Sequence, residues 1–460
     1  MFRKIMIAAR GEIAMRIQRC CSEMGMETVL IYSKEDANEM PVQFCNEAVC
    51  IGQGSARTSY LQWESILQAA VAHGCEAIHP GYGFLAENAA FAENCEAAGI
   101  RFVGPSAEII RMMGDKQTAR QLMQKNGVPC VPGSDGIVDS VQEAADAAER
   151  VGYPVLLKAT AGGGGRGMRI AERAEDLEAA YREAQAEAES AFGNGDLYLE
   201  KLILHPRHIE VQILGDMHGN VIHLGERDCS MQRRNQKMIE ESPARCLTDE
   251  QRTQILAYAV RAAKAAGYYS AGTVEFVLDQ KGHPYFIEMN TRIQVEHPVT
   301  EFVTGIDLVK EQFRIAAGQK LSVGQADVHF SGHAIECRIN AEDPEHGFLP
   351  SPGTVHFLHL PGGAGVRVET VLYQNCTISP LYDNLIAKII VHAPGRLEAI
   401  RRMRTALEET IIDGVKTNVE FLLLMMYNTD YMLGRVDTSF IETNTAGILA
   451  WNKASRKEPV

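Results

Sequence analysis

The first hundred residues alternate short apolar runs with stretches of helical periodicity, a rhythm that calls for a parallel sheet with helices packed on it. KIMIA at 4–8 reads as a strand, 11–24 as a helix, TVLIYS at 28–33 as a second strand, and 60–73 and 88–98 as further helices. A dinucleotide fold has the same rhythm, but its first turn needs GxGxxG so that the backbone can approach a pyrophosphate. Here that turn carries Gly11 alone, which argues against a nicotinamide cofactor.

NGVPCVPGSDG at 126–136 is a glycine- and proline-rich break between units. Beyond it, strands are expected at 154–159, 168–170 and 197–201, with a helical run reaching 191. Further strands are expected at 208–214, 220–224, 273–279 and 284–290. From about 330 the chain is strand-rich to about 392 and then closes in helices, and WNKASRKEPV at the end reads as a frayed tail. A chain of 460 residues is long enough for several domains, each with its own core.

Charge excludes one class of partner. Lys+Arg 45 against Asp+Glu 59 gives a net −14, whereas a duplex nucleic-acid binder needs a basic face. The 11 cysteines show no CxxC pairing and no histidines at zinc spacing, so they read as small buried hydrophobes in a reducing compartment. The start is too often broken by charge for a signal peptide, and the cleanest apolar run, 421–427, is too short for a bilayer. These features predict a soluble cytoplasmic protein with no membrane partner.

Two segments carry phosphate-like chemistry. The cluster GGGGRG at 162–167 lies between two expected strands, so it is neither a Rossmann turn nor a Walker loop. Such a loop has free backbone N–H groups and no side chains to hold an anion away, so it can fold over a polyphosphate. A flexible turn without a ligand accounts for it equally well. Lys158 just before it and Lys116 in GDKQT at 114–118 favour phosphate.

In the expected strands 273–279 and 284–290, a period of two sets Glu275 apart from Val274 and Phe276 and groups Glu288 with Asn290. If the strands form a hairpin, Glu275 opposes Glu288 and Asp279 opposes Pro284. Facing carboxylates destabilise a sheet unless a cation neutralises them, and magnesium bridging to ATP phosphates would do so. A solvated pair with lysine neighbours is the alternative.

After that hairpin comes NTRIQVEHP at 290–298. Arg292 offers a fork for a small oxyanion such as bicarbonate, and Glu296 a carboxylate able to take its proton, although a structural ion pair fits the same residues. The charge-dense stretch 226–237 has little periodicity and is expected to be a loop, over the site or simply solvated. His208, on the polar face of its strand, reads from the residues alone as a surface histidine.

Taken together, GGGGRGM at 162–168, ERDCSMQRR at 226–234, FIEMNTRIQVEHPVTE at 286–301, HPGYGFLAEN at 79–88 and GHAIECRINAEDP at 332–344 resemble the biotin carboxylases. The resemblance extends from KIMIAARGEIA to IIDGVKTN. It implies an α/β and α+β architecture: an N-terminal parallel-sheet α/β domain over 1–113, an ATP-grasp domain over 114–330 with a mobile lid at about 131–203, and a mixed C-terminal domain over 331–450.

The resemblance further implies that Lys116, Lys158, Glu200, Lys201, His208 and Gln232 contact ATP. The loop with Gly163, Gly164 and Gly165 would close over the phosphates, and Glu275, Glu288 and Asn290 would hold Mg2+, or Mn2+ in its place. Lys237, Arg292, Gln294 and Val295 would bind bicarbonate, and Glu296 would deprotonate it for attack on the γ-phosphate, giving carboxyphosphate. Arg338 would stabilise the enolate-like oxygen of biotin, with Tyr82 lining that pocket.

Two positions depart from the family pattern: Asn235 stands where a histidine is expected, and the hinge Glu200-Lys-Leu-Ile203 lacks a tyrosine. No Met-Lys-Met biotinylation tripeptide occurs, so biotin is expected on a separate carrier protein. The implied partners are that carrier and carboxyltransferase subunits, as in acetyl-CoA carboxylase, with the chain itself a homodimer. Another ATP-grasp ligase would keep the lid and the metal carboxylates but lack HPGYGFLAEN and the Arg338 segment. A non-catalytic nucleotide-sensing subunit would not need Lys237, Arg292, Glu296 and Arg338.

Overall fold

The computed structural model describes residues 1–160 and 167–455, with side chains through residue 450 outside that gap. Strands β1 (Lys4–Ile7), β2 (Glu27–Tyr32), β3 (Glu47–Cys50), β4 (Ala77–His79) and β5 (Arg101–Phe102) form a parallel sheet in the order β3-β2-β1-β4-β5. The helix Gly11–Glu23 follows β1 and buries Ile13, Ile17 and Cys20 along one face at helical spacing. These residues share a core with Leu308 and Phe313 of the helix Leu308–Ala316, which ties the N-terminal sheet to the middle of the chain.

Strands β6 (Val155–Ala159), β7 (Met168–Ala171) and β8 (Leu197–Lys201) form a small antiparallel sheet backed by the helices Val141–Val151 and Leu177–Phe192. Ala144, Ala148, Leu157, Tyr181 and Leu199 give this unit a core of its own. The Ser134 N–H donates to the Leu199 carbonyl, fastening the 126–136 break along β8. Gly163, Gly164 and Gly165 lie outside the described residues.

The third sheet is the largest. Strands β9 (Arg207–Gly215), β10 (Val221–Arg233), β11 (Gln236–Ser242), β12 (Ser270–Leu278), β13 (Pro284–Asn290) and β14 (His333–Asn340) join Leu385–Ala393 and Val366–Thr370 in eight strands. The order runs β13-β12-β9-β10-β11-β14, then Leu385–Ala393 and Val366–Thr370. The helix Asp249–Ala265 packs on β9 and β10, opened by a capping box in which Thr248 and Gln251 satisfy each other's N–H groups.

Two expectations are corrected. The stretch 226–237 is not a loop: it is the far half of β10, a two-residue turn at Arg234 and Asn235, and the start of β11. Its charges hid the strand because Glu226, Arg227 and Asp228 are buried and paired with Arg252, Glu210 and Arg207, far away in the chain, rather than solvated. Glu275 does oppose Glu288, but Leu278, not Asp279, opposes Pro284. A bulge between Glu275 and Phe276 absorbs one residue of β13 and shifts the register beyond it.

Candidate active site

A cavity of about 1250 Å3 opens between the small sheet and the large one. Of the residues singled out in the sequence, every one that the structure describes lines it: Tyr82, Lys116, Lys158, Glu200, Lys201, His208, Gln232, Lys237, Glu275, Glu288, Asn290, Arg292, Gln294, Val295, Glu296 and Arg338.

Local structure explains the convergence. Asp115 caps the helix Lys116–Lys125 by accepting the Thr118 N–H, which sets Lys116 at its first residue, facing the cavity. Burial and nearby Lys158 lower the Lys116 pKa while Glu288 opposes the shift. Across the cavity, Glu200 on β8 accepts from Arg120 at 2.8 Å and from Lys158. The Lys201 ammonium instead turns outward to the carbonyls of Gly152 and Tyr153, at 2.8 and 2.6 Å.

At the centre lies Lys237. Its ammonium donates to Glu210 at 2.5 Å, Glu275 at 3.0 Å and Glu296 at 2.6 Å. Glu210 is also held by Arg227, wholly buried, through Nε at 2.5 Å; the same guanidinium donates to Gln212, Thr273, Gln294 and Thr300. Glu296 bridges to Arg338 Nη2 at 2.9 Å, and Arg338 Nε donates to Glu240 at 2.5 Å. Burial disfavours charge on Glu296, yet Lys237, Arg338 and Arg227 outweigh it and hold its carboxyl well below the ordinary range.

The two carboxylates expected to hold metal, Glu275 and Glu288, are unlike each other. Glu275 Oε1 accepts from Lys237, from Asn290 at 2.9 Å and from Gln294 at 2.7 Å, and its Oε2 lies 3.0 Å from His208 Nε2. His208 is therefore buried against a carboxylate, not the surface residue its sequence context suggested. Glu288 has no hydrogen-bond or ion-pair partner among the described residues. Burial first, then the neighbouring Glu275, push its pKa up.

Two groupings have metal-ligand spacing, His208 with Glu210 and Glu275, and Glu210 with Cys229 and Glu296. The Lys237 ammonium already supplies the positive charge that joins their glutamates. A divalent cation fits better at Glu288, where a half-buried carboxylate faces Glu275 with Asn290 beside it. The Asn290 side-chain oxygen Oδ1 accepts from Arg292 Nη2 at 2.9 Å, and Arg292 is anchored by Glu87 at 2.8 Å.

Sequence reasoning missed Glu210, Arg227, Glu87, Glu240, Arg120, Glu12 and Lys388. One signal was present for the first: 208, 210 and 212 alternate with Ile209, Val211 and Ile213, marking a polar strand face. Arg227, Glu240 and Lys388 gave no such signal, because each partner is distant in the chain.

Three family descriptions match successive stretches of the chain. They are "Biotin carboxylase, N-terminal domain" over residues 1–110, "Carbamoyl-phosphate synthase L chain, ATP binding domain" over 115–323, and "Biotin carboxylase C-terminal domain" over 336–443. A biotin carboxylase of Nostoc sp. is 54% identical over 96% of this chain and 99% of its own length. The 2-oxoglutarate carboxylase small subunit of Hydrogenobacter thermophilus is 54% identical over 96% of this chain and 93% of its own. The crystal structure of the biotin carboxylase domain dimer of that organism's 2-oxoglutarate carboxylase, in complex with MgADP, ADP and bicarbonate, superposes with a TM-score of 0.94. It covers 97% of this chain and 99% of its own, at 54% identity.

Proposed function

The chain belongs to the biotin carboxylase family, and from that premise we propose how its residues divide the reaction. It is an ATP- and Mg2+-dependent ligase that carboxylates biotin with bicarbonate, releasing ADP and phosphate. The observation that carries the assignment of roles is Glu296, an ionised carboxylate held between Lys237 and Arg338 at 2.6 and 2.9 Å.

Bicarbonate enters between Lys237 and the Arg292 fork, with Gln294 and the Val295 backbone completing its pocket. Its negative charge competes with Glu296 for Lys237, which raises the basicity of Glu296 and lets it take the bicarbonate proton. The oxygen so exposed attacks the γ-phosphate, forming carboxyphosphate and ADP. Lys116, Lys158, Glu200, Lys201, His208 and Gln232 position the nucleotide, and the glycine-rich segment 162–167, with Gly163, Gly164 and Gly165, would close over the phosphates and exclude water, which would hydrolyse the intermediate. Glu275, Glu288 and Asn290 are the residues that would hold Mg2+, which when bound neutralises phosphate charge. Carboxyphosphate then splits into CO2 and phosphate, the phosphate takes the proton from the ring nitrogen of biotin, and Arg338 steadies the negative charge that develops on the ureido oxygen, beside Tyr82, while that nitrogen bonds to CO2.

The division into 1–113, 114–330 with a lid at about 131–203, and 331–450 is part of this proposal. So are a homodimer, a separate biotin carrier protein, carboxyltransferase partners and a cytoplasmic location. The dimer is supported by the state of the Hydrogenobacter thermophilus domain. Among the described residues no helix is long and apolar enough to cross a membrane.

The test is ADP release from MgATP and bicarbonate, with and without free biotin. Biotin-dependent release is the expected result. Release that responds only to another amine or carboxylate acceptor would overturn the biotin assignment and leave an ATP-grasp ligase of another kind.

A further inference from the structure

Behind the cavity wall that carries Tyr82 and Val295 lies a buried polar chain that the roles above do not use. Lys388, on the strand Leu385–Ala393, is wholly buried. Its ammonium donates to the Val295 carbonyl at 2.7 Å and lies 3.1 Å from Glu12 Oε1, in the first turn of the helix Gly11–Glu23. The same Glu12 oxygen accepts from the Tyr82 hydroxyl, and Glu12 is 5% exposed. One carboxylate and one ammonium thus tie the turn after β4 and the backbone of the 290–296 run to a single point.

This arrangement is costly unless it does something. Lys388 sits in register with Arg338 on the neighbouring strand, so two cations share one face of the sheet. An apolar side chain would avoid both that repulsion and the desolvation of the ammonium. Glu336, two residues before Arg338 on β14, does not offset the charge: burial pushes its pKa well up against the pull of Lys388, and both its oxygens lack hydrogen-bond partners among the described residues. Glu369, in register with Lys388 on the strand Val366–Thr370, is engaged by Arg19 and Arg367, and Glu12 is the carboxylate in ion-pair contact with the Lys388 ammonium. Gly81 adds to the fixation of Tyr82: with φ +63 its backbone takes a left-handed turn, and its N–H donates to His79 Nδ1 at 3.0 Å.

We propose that Glu12 and Lys388 are positioning residues, Glu12 for the biotin pocket through Tyr82 and Lys388 for the bicarbonate pocket through Val295. The inference rests on the reading of the cavity given above. Because the Tyr82 proton is committed to Glu12, the phenolic oxygen presents lone pairs to the cavity and accepts a hydrogen bond. Arg338, on the other side, can only donate. An acceptor opposite a donor matches the N–H and C=O of a ureido ring and rejects the reverse pattern. Burial, reinforced by Glu12, raises the Tyr82 pKa well above the ordinary phenol range, so the hydroxyl keeps that proton. Lys388, by fixing the Val295 carbonyl, fixes the plane of the peptide that follows it along the bicarbonate pocket.

Steady-state kinetics on the full chain separate the two roles. ATP cleavage with bicarbonate and no biotin isolates the first step, and free biotin then reports on the second. Lys388→Met is expected to raise the bicarbonate KM about tenfold, the loss of one well-placed hydrogen bond, and Glu12→Gln to raise the free-biotin KM by about the same factor. MgADP affinity, measured by calorimetry, should stay within about twofold in both, since neither residue reaches the nucleotide. Should either single variant fail to fold, Glu12→Gln with Lys388→Met leaves no unpaired charge and should raise both KM values. Folded variants with unchanged KM values, or with kcat, both KM values and MgADP affinity impaired together, would reduce the pair to a structural role and overturn the proposal. Wild-type protein that shows no response to biotin would instead overturn the reading of the cavity.

Discussion

Glu275 and Glu288 stand in register across β12 and β13, yet one is held by three donor side chains with the His208 ring at 3.0 Å, and the other by none among the described residues. Like charges directly opposed on a sheet cost about 0.2–1 kcal/mol, and here the pair is also partly buried. Without metal, the strain rests on Glu288, whose pKa burial and Glu275 push upward. Glu288→Gln should leave the metal-free protein at least as stable in thermal unfolding. It should also raise the Mg2+ concentration needed for half-maximal ADP release by about tenfold or more, as loss of a metal-ligating carboxylate would. An unchanged Mg2+ requirement would remove Glu288 from the metal site.

Among the described residues, Glu296 is the one carboxylate that touches both Lys237 and Arg338. Glu296→Gln keeps its shape and loses its capacity to take a proton. MgADP affinity should hold, while bicarbonate-dependent turnover falls by about 10²- to 10⁴-fold, the usual worth of a general base. Wild-type turnover in this variant would move the base elsewhere.

The role proposed for Arg338 in the second step predicts that its loss divides the reaction in two. In Arg338→Gln, ATP cleavage driven by bicarbonate alone should persist. Carboxylation of free biotin should fall by about 10²- to 10³-fold, comparable to removing one oxyanion donor. Equal loss in both assays would mean that Arg338 acts on the first step through its bond to Glu296.

How much of this site the chain displays on its face follows from how the charges are arranged. Where alternation is clean and the loop short, as in β12 and β13, the Glu275–Glu288 opposition could be read from spacing, and only the bulge beyond Glu275 was hidden. Of the N-terminal strands, β1 and β2 were equally legible as apolar runs, whereas β3, β4 and β5, only two to four residues long, left no run to read. Around Arg227 the same logic misled. A charged run reads as solvated, yet Glu226, Arg227 and Asp228 are each buried and each paired, with Arg252, Glu210 and Arg207. Those partners lie 17 or more residues away in the chain, and pairing over such distances leaves no periodic trace.

The Arg227–Glu210 pair itself makes a stability prediction. Arg227→Met leaves the wholly buried Glu210 with Lys237 as its one remaining cation among the described residues and removes donors from Gln212, Thr273, Gln294 and Thr300. The expected cost is about 3–5 kcal/mol, seen as a lower thermal midpoint. Adding Glu210→Gln should recover part of it, since a buried charge that has lost one of its two cations is gone. A midpoint unmoved by Arg227→Met would show that the pair does not stabilise the sheet.

The last prediction concerns pH. Burial raises the Glu240 carboxyl to about 7, with Glu296 adding to the shift and Arg338 opposing it. An unfolded glutamate loses its proton near the ordinary value, about 4.3. Between those two values the folded state holds more protons than the unfolded one, so stability falls as pH rises; above about 7 this contribution is fully lost and the curve flattens. Glu39, also raised to about 7, contributes a limb of the same sign, so the wild-type curve alone does not isolate Glu240. The difference between wild type and Glu240→Gln does. In denaturant unfolding from about pH 5 to about pH 8, the variant should gain on the wild type as pH rises, by an amount on the order of 3 kcal/mol across the window. A difference that stays constant over that range would mean that Glu240 is already ionised at pH 5 and that Arg338 holds it as a salt-bridge partner throughout.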